Sequence, residues 1–409
     1  LFFTRRVGQR LPDGQPQRIL LGGKLTGKVG PWSLGVLEAR TQQQRFRDPD
    51  TGLIDTAPAA NFFTLRAQRD IFGNSTVGFI TVNRDQSFGA IGSTQRVHAL
   101  DLNLVRGAHI VWSNQAAYNQ NQTQPEGGIH RMSARSSFSF DSDAWALGGA
   151  YQYTGRSFDV SDIGFQPETD RHFASAAIEW KPFINRNGIR QISFELERNI
   201  NLDTSGLTQD SDSGAELFVD FTNFWTAGAQ YSYSTVRFNE FTPTFGRLPT
   251  ARTYITPGVR LFVESNDNRP VSFEYEFEWE KFAQFGENFY GRGYTHEFGL
   301  TARMFDRTRL EFRGEYIREF LLDGTPFQIR RLFVTRLAHQ FTRKWRARIL
   351  GQIANDRRGQ EFNVNSLVGY DFTARSAFLV GYNFQRQSPG QPGDLGHELF
   401  FKFSYLFQF

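Results

Sequence analysis

The chain has 409 residues, no cysteine, and 46 Lys+Arg against 42 Asp+Glu, a formal charge of +4. This balance, with arginines scattered rather than gathered in a stripe or tail, speaks against a nucleic-acid binder, and the missing cysteines exclude a disulfide scaffold and thiolate metal sites. Aromatics reach 15%, with 43 Phe, yet no run of 18 apolar residues occurs; a helical membrane protein is excluded, and a membrane barrel of half-apolar strands is not.

The chain opens on LFFTRRVGQ, which lacks the apolar core and cleavage site of a signal peptide, so a mature or truncated portion of a longer protein is expected. Residues 2–7 read as a first upward strand and 18–25 as its downward successor. Alternation is soft over 62–84 and clear afterwards. Leu100, Leu102 and Leu104 interleave with Asp101 and Asn103, and Trp145, Leu147, Tyr151 and Tyr153 form one face. Ile192, Phe194 and Leu196 oppose Ser193, Glu195 and Glu197.

The clearest segment is VSFEYEFEWE. Phe273, Tyr275, Phe277 and Trp279 occupy one parity and Glu274, Glu276, Glu278 and Glu280 the other. A helix mixes two such sets around its circumference; a strand separates them. Carboxylates in a row on a dry face are prohibitive, so the glutamates are expected to face a wet lumen and the aromatics lipid. By the same rule Glu311, Arg313 and Glu315 are lumenal against Leu310, Phe312 and Tyr316, with cross-strand pairing expected on that stripe. Arg346 and Arg348 are lumenal against Trp345, Ala347 and Ile349. Direct pairing of Arg346 and Arg348 with the four glutamates is not expected.

The chain closes on HELFFKFSYLFQF, in which Phe401, Phe403, Tyr405, Phe407 and Phe409 share a face with Leu399. Such an aromatic terminal strand resembles the signal read by the barrel assembly machinery. Connections alternate between short ones and long polar ones such as 42–61, 119–130, 155–171 and 199–215. Together these features predict an all-β fold: a single antiparallel transmembrane β-barrel of about 22 strands filling 1–409, with short periplasmic turns and long extracellular loops, surrounded by the lipids of a bacterial outer membrane. Phe409 is then expected at the periplasmic rim, its strand pairing with the first strand near 2–7 or with 19–24.

The segments GGKLTGK (22–28), WSLG (32–35), RDIFGNS (69–75) and Asn83-Arg84, with the opening and closing strands, resemble the DUF5916 family of outer-membrane proteins. The resemblance implies a C-terminal barrel region that a carbohydrate-binding-like β-sandwich usually precedes; that sandwich is absent from this sequence. GGKLTGK itself lacks the phosphate-loop spacing.

Chemistry is otherwise sparse. None of the seven histidines forms an HExxH or H-x-H motif, and loop positions near strand ends are expected for them. No catalytic residue, metal site or cofactor is expected, and the protein is not read as an enzyme. The Asp-rich stretches at 157–170 and 201–216 lack the calcium-loop pattern and read as solvated loops. Two roles survive. One is a passive or gated conduit for a solute. The other is a membrane anchor or scaffold for a periplasmic or surface protein partner or an attached module. A barrel of about 22 strands is too wide to stand open, so a conduit requires either loops folded inward, for which 42–61, 119–130, 155–171 and 199–215 are long enough, or a separate filling domain.

Overall fold

The computed structural model describes residues 7, 10–48, 51–87, 93–121, 127–161, 163, 168–237, 252–284, 289–356, 359–373, 376–387 and 396–405. The chain forms two compact units, Leu1–Glu179 with Glu197–Ser211, and Trp180–Leu196 with Asp212–Phe409. Among the described residues there is no α-helix, only a 3-10 turn at Gly128–Arg131. No helix among them is long and apolar enough to cross a membrane.

The first unit contains β1 (Ile19–Val29), β2 (Trp32–Thr41), β3 (Gln44–Arg47), β4 (Ile54–Ala57), β5 (Ala59–Ile71), β6 (Ser75–Ser87), β7 (Ser93–Arg106), β8 (Ile110–Asn121), β9 (Met132–Asp141) and β10 (Trp145–Thr154). Then follow β11 (Arg171–Trp180), β12 (Phe183–Arg186), β13 (Ile189–Leu202) and β14 (Thr208–Phe221). The second unit continues with β15 (Thr226–Arg237), β16 (Thr253–Glu264), β17 (Val271–Gln284), β18 (Phe289–Met304), β19 (Thr308–Leu321), β20 (Pro326–Gln340), β21 (Trp345–Asp356), β22 (Gly359–Thr373), β23 (Ser376–Gln387) and β24 (Gly396–Ser404).

Twenty-two of these strands belong to one sheet, and β3 and β4 form a separate hairpin within the connection expected at 42–61. β11 and β12 both pair with β13, so they are two pieces of one interrupted strand. Pairing runs antiparallel between chain neighbours, from β5 through β10 in the first unit and from β15 through β24 in the second.

The short connections are tight because their residues accept left-handed backbone. Phe72 and Gly73 (φ 47° and 80°) turn β5 into β6, and Asn187 and Gly188 (55° and 81°) turn β12 into β13. Two successive positive φ values match the right-handed twist of the flanking strands. At 199–215 the structure departs from the expected long loop: β13 runs to Leu202 and β14 begins at Thr208. The reason is physical. β13 and β14 have 14 residues each. The first residues of β14, TQDSDS at 208–213, are polar on both faces and so pair without alternation, and at the end of β13 only Ile200 and Leu202 alternate with Asn199 and Asn201.

Candidate functional site

In an antiparallel ladder, directly opposed residues share a face, so the register sorts the side chains. In the second unit Glu274, Glu276, Glu278 and Glu280 on β17 oppose Gly299, Glu297, Thr295 and Gly293 on β18. Those oppose Arg313, Glu315, Ile317 and Glu319 on β19, and Glu311 lies on the same stripe. Arg313 and Glu311 oppose Val334 and Arg336 on β20, and β20 in turn sets Ala338 against Arg348 and Gln340 against Arg346 on β21. All nine charged residues singled out in the sequence therefore share one face of this unit. Phe273, Tyr275, Phe277 and Trp279 lie on the other, opposite Leu300, Phe298, His296 and Tyr294.

Their ion pairs follow geometry rather than sequence adjacency. Arg260, which opposes Glu278, reaches diagonally to Glu276 at 2.7 Å. Arg313 lies 3.7 Å from Glu274, two strands away. Glu311 takes Arg309 at 2.5 Å and Arg336 at 3.6 Å, and Arg346 takes Asp371 at 3.2 Å. A cavity of about 460 Å³ on this face is lined by Phe262, Glu264, Glu274, Glu276, Glu297 and Arg313, among others. Glu276, Glu297 and Glu315 stand directly opposite one another across three strands. Such like-charge apposition is destabilising, which the Arg260 pair relieves at one member.

The first unit shows the same two faces. Leu100, Trp112, Trp145, Leu147 and Tyr151 present a well-exposed apolar face. The polar face carries Lys24, Arg66, Asp101, Gln115 and Arg135, related by β1–β2, β2–β5, β5–β6 and onward pairings. Arg66 pairs with Asp101 through both carboxylate oxygens, one contact measuring 2.9 Å.

This polar face has one apolar island, formed by Val82, Val97, Ala99 and Ala117, all fully buried. The cover comes from the connection after β10. Phe158, Val160 and Ile163 pack onto the island with exposures of 0%, 1% and 2%. Two side chains of the sheet hold the segment's backbone: Gln95 Nε2 donates to the Asp159 carbonyl at 2.9 Å, and Asn119 Nδ2 donates to the Asp159 and Ser157 carbonyls at 2.5 and 3.4 Å. An apolar island on an otherwise polar face explains why the chain folds back there instead of standing in solvent: three apolar side chains leave water together.

Sequence reasoning counted 155–171 among the loops long enough to fold inward but did not identify the residues that seat it, Arg260, or the Arg66–Asp101 pair. The clamp's only local signal is Phe158, Val160 and Ile163 inside a polar stretch. The histidines are a correction. His98, His172, His296, His339 and His397 sit within strands rather than in loops. Tyr151 pairs with His172 at 2.7 Å, Tyr275 with His296 at 2.8 Å and Tyr382 with His397 at 2.6 Å. A tyrosine hydroxyl supplies the partner that lets an imidazole lie among aromatics.

Among the described residues no group of His, Asp or Glu is placed to hold a metal ion. In the Asp-rich loop after β13, burial works against the charge of Asp203. Hydrogen bonds from the Ser205 hydroxyl, the Leu207 and Ser205 N–H groups and the Gln209 amide outweigh it and hold the carboxyl below its ordinary value. At the closing strand, Phe401 and Phe403 oppose Val380 and Phe378, and Tyr405 stacks on Phe403. Phe407, Phe409 and residues 2–6 of one expected seam lie outside the described residues, and the alternative seam partner Ile19–Lys24 pairs on one side with β2.

The profile of a family described as "Domain of unknown function (DUF5916)" matches residues 1–325. The chain belongs to the DUF5916 family. The match ends before β20–β24, so the closing strand enters through its own register alone. No curated protein matches this DUF5916 chain by sequence. Two solved structures are similar to it. The copper transporter OprC is 12% identical, with 92% of this chain and 73% of that one covered and a TM-score of 0.51. The siderophore receptor PirA from Pseudomonas aeruginosa is 10% identical, with 88% and 71% covered and a TM-score of 0.50. At such identity the likeness concerns fold: an all-β architecture resembling outer-membrane barrel proteins.

Proposed function

We propose that this DUF5916 chain is a bacterial outer-membrane β-barrel that conducts a dissolved solute, passively or under gating, through a polar lumen. The observation that carries the reading is the segment 155–163, seated on the polar face of the first unit by Phe158, Asn119 and Gln95. A wide bore needs an inward fold of this kind to become a selective passage. The nine charged residues on β17, β19 and β21 then line the lumen, and Phe273, Tyr275, Phe277 and Trp279 meet outer-membrane lipid.

Closure of the sheet, last strand against first, belongs to the proposal, because an open edge in hydrocarbon leaves backbone groups unpaired. Short turns are assigned to the periplasm and longer connections to the exterior. Phe401, Phe403, Tyr405, Phe407 and Phe409 are assigned as the strand read by the assembly machinery. The roles named for the two similar structures, copper transport and siderophore reception, support a solute-handling role without fixing the solute. No catalysis or cofactor is assigned.

The second reading is an anchor for a protein partner or attached module, and the internally paired charges Arg66–Asp101 and Arg260–Glu276 favour it. Swelling of liposomes carrying the purified chain separates the two. Entry of small sugars up to a size limit supports the conduit; swelling no faster than protein-free liposomes supports the anchor.

A further inference from the structure

The short-turn end of the second unit's polar face collects arginines on four consecutive strands: Arg303 on β18, Arg309 on β19, Arg336 on β20, and Arg346 and Arg348 on β21. Register places them on one face, with Arg303 directly opposite Arg309. They line a cavity of about 620 Å³, within the range of small-molecule sites. Asp306 and a sixth arginine, Arg307, line the same cavity and offset each other in charge, and the other carboxylates in reach do not match the five arginines. Glu311 serves Arg309 and Arg336, and Asp371 serves Arg346. Arg303 donates to the backbone carbonyls of Asp267 and Arg269, which carry no charge. Arg348 has Ala338 and Leu367 as its direct cross-strand neighbours, and its Nε is shielded from solvent with no hydrogen-bond partner.

Two like charges directly opposed, and a shielded guanidinium N–H without an acceptor, are both destabilising as they stand. Both are relieved by an anion with several charged oxygens, since a guanidinium offers its donors as a fork matched to phosphate or carboxylate. The register puts the cluster on the face opposite the aromatic one, which points to a dissolved ligand rather than a lipid headgroup. We infer that Arg303, Arg309 and Arg348 form a binding site for a dissolved oxyanion, a phosphate or polycarboxylate, with Arg336 and Arg346 at its rim. The inference rests on reading this face as wet.

Calorimetric titration of the full chain in detergent with inorganic pyrophosphate tests it. Binding is expected at low ionic strength and weakens as salt rises. The double variant Arg303→Gln/Arg348→Gln is expected to lose at least about tenfold in affinity, the scale of one charge-assisted hydrogen bond. Arg135→Gln, which removes a charge from the polar face of the first unit, is expected to bind as the parent does. If the double variant does not insert, Arg348→Lys keeps the charge without the fork and is expected to bind severalfold more weakly. No binding by the parent, equal binding by the double variant, or an equal loss in Arg135→Gln overturns the inference. Because binding is read without a membrane, a chain that binds but does not conduct keeps the site and sinks the conduit. A chain that conducts but does not bind does the reverse.

Discussion

Arg313 and Glu274 belong to strands two apart, and their charged atoms meet at 3.7 Å over the backbone of Gly299, which lies between them on β18. Arg66 and Asp101 repeat the arrangement over Gly78 on β6. A Cβ on Gly299 would stand 2.3 Å from Glu274 Oε1, and one on Gly78 would stand 2.6 Å from both Arg66 and Asp101. The glycine is what lets the charges reach across an intervening strand.

The two glycines are expected to differ in consequence. Glu274 and Arg313 are largely exposed (53% and 75%), so in Gly299→Ala the glutamate swings aside and stability changes by less than about 1 kcal/mol. Arg66 and Asp101 are more buried (32% and 20%) and bidentate, so Gly78→Ala is expected to cost about 1–3 kcal/mol. Urea midpoints followed by heat-modifiable migration in gels compare the two. Equal losses contradict this account.

The clamp at 155–163 is expected to open without unfolding the sheet. Phe158→Ala removes a fully buried ring, and Asn119→Ala removes the donor to two backbone carbonyls. A protected amide of this kind is worth about 1–3 kcal/mol, enough to release a loop. Limited proteolysis checks the outcome: new cleavage confined to 155–170, with the rest of the chain protected. Unchanged digestion in both variants shows that other contacts hold the segment.

Phe305 stands at φ 54° in the turn after β18 and is 92% exposed. Left-handed backbone disfavours a side chain by about 1–2 kcal/mol, and glycine is free of that cost. Phe305→Gly is therefore expected to raise the urea midpoint in detergent. A lowered midpoint would mean that the ring has contacts which outweigh the strain.

Much of this architecture was legible in the sequence, and unevenly so. Where a strand has lipid-like aromatics on one side and carboxylates on the other, as in 271–280, period two alone sorts the faces. Where an intervening strand must be crossed, as for Arg66 and Asp101, nothing in 35 residues of separation marks the pair. The start of β14 was hidden because its residues 208–213 are polar on both faces, and the end of β13 because its alternation, Ile200 and Leu202 against Asn199 and Asn201, spans only four residues beside that polar stretch. The clamp was hidden because its meaning depends on Val82, Val97 and Ala117, which are apolar residues on a polar face.

Asp203 gives a pH dependence with a definite sign. Its carboxyl is held below the ordinary value against the effect of burial, so the ionised form is favoured by the fold. The stabilisation is complete above the ordinary carboxylate value of about 4. It is lost as pH falls through the depressed folded value. Amide exchange at Ser205 and Leu207, with intrinsic rates divided out, is expected to lose protection on acidification, and Asp203→Asn is expected to lack that step. The same acid-induced loss in the variant assigns the effect to another group.

The most direct test of the conduit is single-channel recording of the purified chain in a planar bilayer, alone and with residues 156–163 replaced by a short Gly-Ser linker. The account predicts discrete, reproducible conductance steps for the parent and larger steps for the replacement, because the segment narrows the polar passage. A stably inserted chain that stays electrically silent, and silent again after the replacement, contradicts it.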